Sequence, residues 1–346
     1  MIRLECDYGE GAHPAILEKL LATNMEQTPG YGCDAYCAEA ARLIRQACVA
    51  PEADVHFIVG GTLANLLAIT AALRQWQGVL CADSGHISTH ETGAIEAAGH
   101  KVLQLPGIEG KISADQVREA CRAWREDASY EHIVEPGMVY ISSPTEFGTM
   151  YSLQDLEEIS AACRENGLFL YVDGARMAYG LTARGNALKL SDYARLCDMF
   201  TIGGTKCGAL FGEALVICNP DLKRGFRPIM KQRGAMLGKG RLLGLQFLVM
   251  FENNLYFQLG QRAIDLSDRL RAVFAECGYP MLVNSPTNQI FPILPDAAVA
   301  ILQQNFAFYV WQRVDSGHSA VRFCVSWATP EANVDALIAA VRALPK

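Results

Sequence analysis

The run VHFIVGGTLANLLAITAAL, residues 55–73, decides the fold. It contains no Asp, Glu, Lys or Arg over nineteen residues, which is long enough to cross a bilayer. Two features break that reading. Gly60, Gly61, Thr62 and Asn65 interrupt the apolar run, and its first half favours strand while its second half favours helix. The stretch parses as strand, glycine turn and helix. No other segment approaches spanning length, so a chain with no membrane segment is expected.

The same alternation continues on either side. Strands are expected at His56–Val59, Val79–Ala82, Lys101–Leu105, Met138–Ser142, Leu168–Val172, Met199–Ile202 and Ala214–Cys218. Helical patterns lie between them at Leu63–Leu73, Ser113–Trp124 and Leu153–Glu165. The last has Ser152 as N-cap, acidic residues in its first turns and Gly167 as its stop. Strands alternating with helices predict an α/β fold: a large, mainly parallel seven-stranded sheet covered by helices on both faces. Such sheets bind ligands at the carboxyl ends of their strands.

After Asn219 the rhythm changes. Arg241–Phe257 reads as one long helix, followed by short strands at Gln289–Leu294, Ala307–Tyr309 and Val321–Val325 and a last helix at Glu331–Leu344. The expected division is a large domain with an N-terminal arm over residues 1–240. A connecting long helix and a smaller C-terminal α+β domain would occupy 241–346.

Composition narrows the function. A chain of 346 residues suggests two domains at roughly 150 residues each. With 51% apolar and 19% charged residues it has material for a large core and is not disordered. Thirty Lys and Arg against 37 Asp and Glu give a net charge of −7, which excludes a general polyanion binder and therefore a nucleic-acid partner. Twelve cysteines include no C-x-x-C pair, and the opening MIRLECD has no apolar leader. Reduced thiols in a cytoplasmic enzyme are expected.

Three loops that follow strands carry the chemistry. Gly60-Gly61-Thr62 opens a helix, where free N–H groups and the helix dipole favour an anion. Its spacing matches neither the dinucleotide fingerprint nor the Walker loop, and an ordinary glycine turn has the same sequence. Asp173, in Val172-Asp173-Gly174-Ala175-Arg176, ends an apolar strand and needs a cationic partner there. That partner is a metal, Arg176 or a protonated ring nitrogen. Lys206, in Gly203-Gly204-Thr205-Lys206, is either a nucleophilic amine or a solvated loop residue. Together an anion cradle, a carboxylate and an amine are the three parts that pyridoxal 5′-phosphate requires.

With those residues in view, the chain resembles the threonine aldolase branch of the β-eliminating lyases, in the aspartate-aminotransferase-like superfamily. Gly11-Ala12-His13-Pro14 and Tyr31-Gly32-Cys33-Asp34 are similar to the family's opening motifs, and Gly61-Thr62-Leu63-Ala64-Asn65 to its phosphate loop. His86 with Glu91-Thr92-Gly93-Ala94 resembles H-x4-E-x-G-A, whose histidine stacks on the cofactor ring. Asp173-Gly174-Ala175-Arg176 matches D-G-A-R, and Gly203–Lys206 looks like the lysine motif. The tail Arg322-Phe323-Cys324-Val325-Ser326-Trp327 resembles the segment whose arginine grips the substrate carboxylate.

The resemblance implies that Arg176 holds the cofactor or the substrate carboxylate. It also implies a homodimer or homotetramer with shared active sites, reached by Tyr31 and a cation among Lys231, Lys239 and Arg241. His90 lies four residues after His86, but without a third ligand no metal is expected. One departure stands out. The family's E-N-T-H loop is replaced by Ser142-Ser143-Pro144-Thr145-Glu146-Phe147-Gly148, so Glu146 occupies the place of a histidine near the substrate hydroxyl.

The implied activity is cleavage of L-β-hydroxy-α-amino acids, such as threonine, allo-threonine or phenylserine, to glycine and an aldehyde. His86 and Glu146 are both candidates for the base. β-Elimination or another reaction of amino acids with the same cofactor is the alternative, and a homologue that binds the cofactor without turnover is more remote.

Overall fold

A computed structural model describes residues 1–345. Seven strands form the large sheet in the spatial order Asp54–Ile58, Glu213–Ile217, Met199–Gly203, Phe169–Asp173, Glu135–Ser142, Gln77–Ala82, Val102–Leu105. Each of the seven strands expected for this sheet is present, its ends moved by a few residues at most, whereas the strand expected over Ala307–Tyr309 is two, Phe306–Ala307 and Tyr309–Arg313, which pair with different neighbours. Neighbouring strands pair in parallel from Met199–Gly203 across to Val102–Leu105. Glu213–Ile217 runs against both of its neighbours. The carboxyl ends of six strands and the amino end of this seventh therefore share one edge.

Side-chain alternation explains why the sheet is covered twice. Val139, Ile141, Leu170, Val172, Phe200 and Val216 point into one buried cluster, while Met138, Tyr140, Tyr171, Met199, Leu215 and Ile217 point into the other. Helices Ala114–Glu126 and Leu153–Asn166 fill the first with Val117, Cys121, Leu156, Ile159 and Cys163. Helix Gly61–Ala72 fills the second with Ala64, Leu67 and Ala68. Ser113 with Gln116 and Ser152 with Asp155 form reciprocal capping boxes, and Gly167 closes the second of these helices at φ 68°. A cap of this kind stabilises its helix by about 1 kcal/mol. The run 55–73 is indeed strand, turn and helix, and among the described residues no helix is long and apolar enough to cross a membrane.

A smaller four-stranded sheet at the other end combines His318–Cys324 with Tyr309–Arg313, Ile293–Pro295 and Gln289–Ile290. The strand expected over Gln289–Leu294 is broken at Phe291-Pro292, where proline lacks the donor a ladder needs. Both fragments still pair with the same neighbour. The expected single helix Arg241–Phe257 is two helices, Arg241–Glu252 and Leu255–Glu276. Asn254 separates them at φ 57°, a left-handed conformation that asparagine adopts more readily than most residues. The first helix buries Phe247, Leu248 and Met250 in the large core. The second starts in that core with Tyr256 and Ala263 and ends in the small one with Leu270 and Phe274. Leu4 also joins the small core, because Ile2–Arg3 pairs with Phe306–Ala307.

Candidate active site

The shared strand edge opens into a cleft of about 360 Å³, continuous with an outer chamber of about 550 Å³ through Tyr8, His86, Glu146, Arg176 and Lys206. Gly60, Gly61, Thr62, Asp173 and Glu213 line the inner part, and His90, Tyr309, Trp311 and Arg322 the outer. At the floor, Gly60 caps the helix Gly61–Ala72 without any side-chain hydrogen bond, so the first amides lack an intrahelical partner. A Cβ added at Gly60 or Gly61 would meet nothing within 4 Å, which leaves open space over these amides.

Asp173 ends its strand buried and fully engaged. Its Oδ2 accepts from Tyr140 Oη at 2.8 Å and Asn65 Nδ2 at 3.0 Å, and its Oδ1 accepts from the Ala175 amide at 2.9 Å. Burial, and then the negative charge of Asp173, push the Tyr140 hydroxyl well above its ordinary value, so it stays a donor. Of the three partners open to Asp173 in the sequence, Arg176 is excluded. Arg176 instead forks onto Asp7, with Nε to Oδ2 at 2.7 Å and Nη2 to Oδ1 at 3.1 Å. Burial opposes the Asp7 charge, but Arg176 and Lys206 overcome it and hold this carboxyl below the usual range. This contact uses the Nε–Nη2 side of the guanidinium, so Nη1 and the second Nη2 hydrogen are left for another acceptor in the cleft.

Lys206 follows Gly203 into the cleft, and its Nζ makes no hydrogen bond among the described residues. The turn that presents it is fastened by Glu213. The Gly204 amide donates to Glu213 Oε2 at 3.0 Å, and Thr205 Oγ1 donates to Oε1 at 2.8 Å. Burial raises the Glu213 carboxyl to about 7, against the opposing effects of the Thr205 hydroxyl and Lys206.

On the opposite wall, His86 Nδ1 lies 2.8 Å from Glu91 Oε1 and its backbone amide donates to Glu146 Oε1 at 3.0 Å. Glu146 also accepts from Ser142 Oγ at 2.6 Å, and burial pushes its carboxyl upward. His90 stacks on His86 with ring centroids 5.6 Å apart. In the outer chamber Arg322 donates to Gln289 Oε1 at 3.3 Å and to the Glu5 carbonyl at 3.0 Å, while its guanidinium lies over Tyr309 and Trp311. Its buried Nε has no partner, and among the described residues no carboxylate lies within 4.0 Å. Arg322 is therefore not one half of a buried ion pair.

The structure thus brings Gly60, Gly61, Thr62, His86, Glu146, Asp173, Arg176, Lys206 and Arg322 to one cleft. Tyr31 is elsewhere: it lines a separate cavity of about 200 Å³, with Lys231 Nζ 4.6 Å above its ring. Arg241 is spent on the Thr23 and Asn24 carbonyls, at 2.7 and 3.1 Å. Asp7, Tyr8 and Glu213 line or brace the cleft but carry no local sequence signal. Asn65 and Glu91 stand inside recognisable motifs, which was the available hint.

The model of the family described as beta-eliminating lyase matches residues 7–296. The chain is 29% identical over 342 residues to a low specificity L-threonine aldolase of Pseudomonas sp., covering 98% of this chain and 96% of that one. A solved structure of Leishmania major threonine aldolase superposes with a TM-score of 0.96 at 46% identity, covering 99% of both chains. Thermus thermophilus aspartate aminotransferase, at 17% identity and a TM-score of 0.72, shares the fold.

Proposed function

The chain belongs to the beta-eliminating lyase family, and from that membership we propose that it is a pyridoxal-phosphate-dependent aldolase. It cleaves L-threonine and related L-β-hydroxy-α-amino acids to glycine and the corresponding aldehyde, as the names of its relatives suggest. The observation that carries this reading is a partnerless amine, Lys206 Nζ, sharing one cleft with an uncapped helix start and a buried carboxylate.

The residues fit the cofactor. The amides at Gly60–Thr62, over open space, suit its phosphate, and Asp173 suits a protonated ring nitrogen. Lys206 supplies the amine for its aldehyde carbon. When bound, the cofactor takes up the electron pair released as the substrate's Cα–Cβ bond breaks.

The protein's own groups do the rest. Arg322 offers the Nη1 and Nη2 hydrogens not spent on Gln289 and Glu5 to the substrate carboxylate. Arg176, tied to Asp7, orders the wall beside Lys206 and keeps a positive charge there. His86 takes the β-hydroxyl proton on its free Nε2, and that proton ends on the glycine carbanion or in solvent. Glu146 holds the Ser142 hydroxyl and the His86 amide on Oε1 alone, which braces this base, while its Oε2 is left without a hydrogen bond among the described residues and makes Glu146 the second reading for the proton acceptor.

Tyr31 and Lys231 lie outside their own chain's cleft, Tyr31 at 49% exposure, which suits residues delivered to a neighbour's site. The working assembly on this reading is a homodimer or homotetramer. Twelve unpaired cysteines suit a cytoplasmic location.

Incubating the loaded protein separately with L-threonine, L-allo-threonine and phenylserine tests the reaction. Glycine and the matching aldehyde should appear in equal amounts. Borohydride reduction should leave pyridoxyl mass on the Lys206 peptide, and mass on Lys231 or Lys239 instead would overturn the assignment.

A further inference from the structure

We propose that Glu91 is a positioning residue that fixes the tautomer of His86, leaving Nε2 as the bare nitrogen in the cleft, and that Asn65 ties this base to Asp173. The catalytic part rests on the function proposed above, whereas the tautomer part stands without it.

Glu91 follows His86 by five residues and is turned inward by consecutive left-handed residues, Thr92 at φ 52° and Gly93 at φ 70°. Its side chain is 0% exposed, and among the described residues His86 is its one ion-pair partner. Oε1 receives His86 Nδ1 at 2.8 Å and Asn65 Nδ2 at 2.7 Å. A carboxylate engaged in this way can only accept, so the hydrogen between the two side chains belongs to Nδ1. The neutral ring then carries none on Nε2.

The Asn65 orientation follows independently. The amide atom that lies between two carboxylates, Glu91 Oε1 at 2.7 Å and Asp173 Oδ2 at 3.0 Å, must be the donor Nδ2, and Tyr171 Oη then donates to Oδ1 at 2.7 Å. The reversed amide would set Oδ1 against both carboxylates. One asparagine therefore spans the acceptor that orients the base and the carboxylate at the centre of the cleft. Glu91 Oε2 is buried without a partner, so among the described residues this carboxylate is held by His86 and Asn65 alone, both on Oε1. An imidazolium formed there when the ring accepts a proton is stabilised by that charge. Glu146 fastens the His86 backbone while Glu91 fastens its ring.

The test uses two measurements. In 15N-labelled protein without cofactor, long-range 1H–15N spectra of the neutral His86 ring should show the proton on Nδ1. Glu91→Gln should preserve that tautomer, because its amide oxygen still accepts, while Glu91→Ala should release it to Nε2. In the loaded enzyme, Glu91→Ala should lower kcat for L-threonine on the order of 100-fold with KM within about twofold. Glu91→Gln should recover part of the loss. In a His86→Phe background Glu91→Ala should slow the enzyme no further, since Glu91 acts through that ring. A wild-type proton on Nε2, an unchanged tautomer in Glu91→Ala, or an equal loss in the His86→Phe background overturns the proposal. If the alanine variant does not fold, Glu91→Gln decides: wild-type kcat in that variant refutes the role of the charge. Wild-type protein that leaves threonine uncleaved would refute the proposed function, while the spectra would still decide the tautomer.

Discussion

Replacing Arg322 with lysine separates a binding arginine from a structural one. The guanidinium lies over Tyr309 and Trp311, at 5.0 and 5.2 Å from the ring centres, and keeps a buried Nε with no partner. A substrate carboxylate would receive two parallel charge-assisted hydrogen bonds from it, each contributing about 1.5–3 kcal/mol. Lysine retains the charge but offers one point contact in place of the fork. Losing one such bond corresponds to an increase of about 10- to 150-fold in KM for L-threonine, with a parallel weakening of glycine binding. Turnover at saturation should change by only a few-fold, because Arg322 holds no proton in the reaction. Lysine can take over one of the contacts to the Gln289 side chain and the Glu5 carbonyl, so the cost to stability should stay within that of one hydrogen bond from a charged donor, about 1.5–3 kcal/mol. Steady-state kinetics, glycine titration followed by cofactor absorbance, and thermal melting measure the three quantities. A variant that melts far lower but has an unaltered KM would refute the reasoning and make Arg322 a strut.

Asp173→Asn should retain cofactor yet lose at least about 100-fold in kcat, because the charge facing the ring nitrogen matters most as the carbanion forms; near-normal turnover would remove Asp173 from the mechanism. Burial lifts the Glu213 carboxyl from 4.5 to about 7, so between these values the folded chain holds a proton that the unfolded chain releases, and Glu213 subtracts stability as pH rises through that window. The difference amounts to about 3 kcal/mol. Glu213→Gln, whose amide can donate to Thr205 while its oxygen accepts from Gly204, should therefore gain on the wild type between about pH 5 and pH 8 in urea unfolding, and a constant difference would contradict the burial effect. Asp7→Ala leaves the Arg176 guanidinium buried without its anion, so cofactor-free protein should lose about 3–5 kcal/mol of stability, and a loss below about 1 kcal/mol would mean that water replaces the pair.

Much of the architecture is readable in the chain because its causes are local. Strand and helix periods alternate, Ser152 and Gly167 punctuate a helix through hydrogen bonds within a few residues, and each glycine-containing loop follows its own strand. Breaks set by single residues are harder to read. Helical period runs on both sides of Asn253 and Asn254, and the break is one left-handed residue, Asn254, from which the second helix sets out across two cores.

The sequence by itself determined that the sheet has two buried faces and which loops carry an amine, a carboxylate and an anion cradle. Those properties belong to segments shorter than twenty residues and need no knowledge of what lies beside them. The tertiary structure alone decided who meets whom. Glu213 reaches the cleft because its strand runs against its neighbours, a direction that no periodicity encodes. Arg176 pairs with Asp7, 169 residues away, and not with Asp173 three residues before it. Arg322 is left without a carboxylate although acidic residues are plentiful in the chain. Hydrogen bonds and charge pairs extend a few ångströms through space, so their partners are fixed by strand order and direction, which only the folded chain supplies.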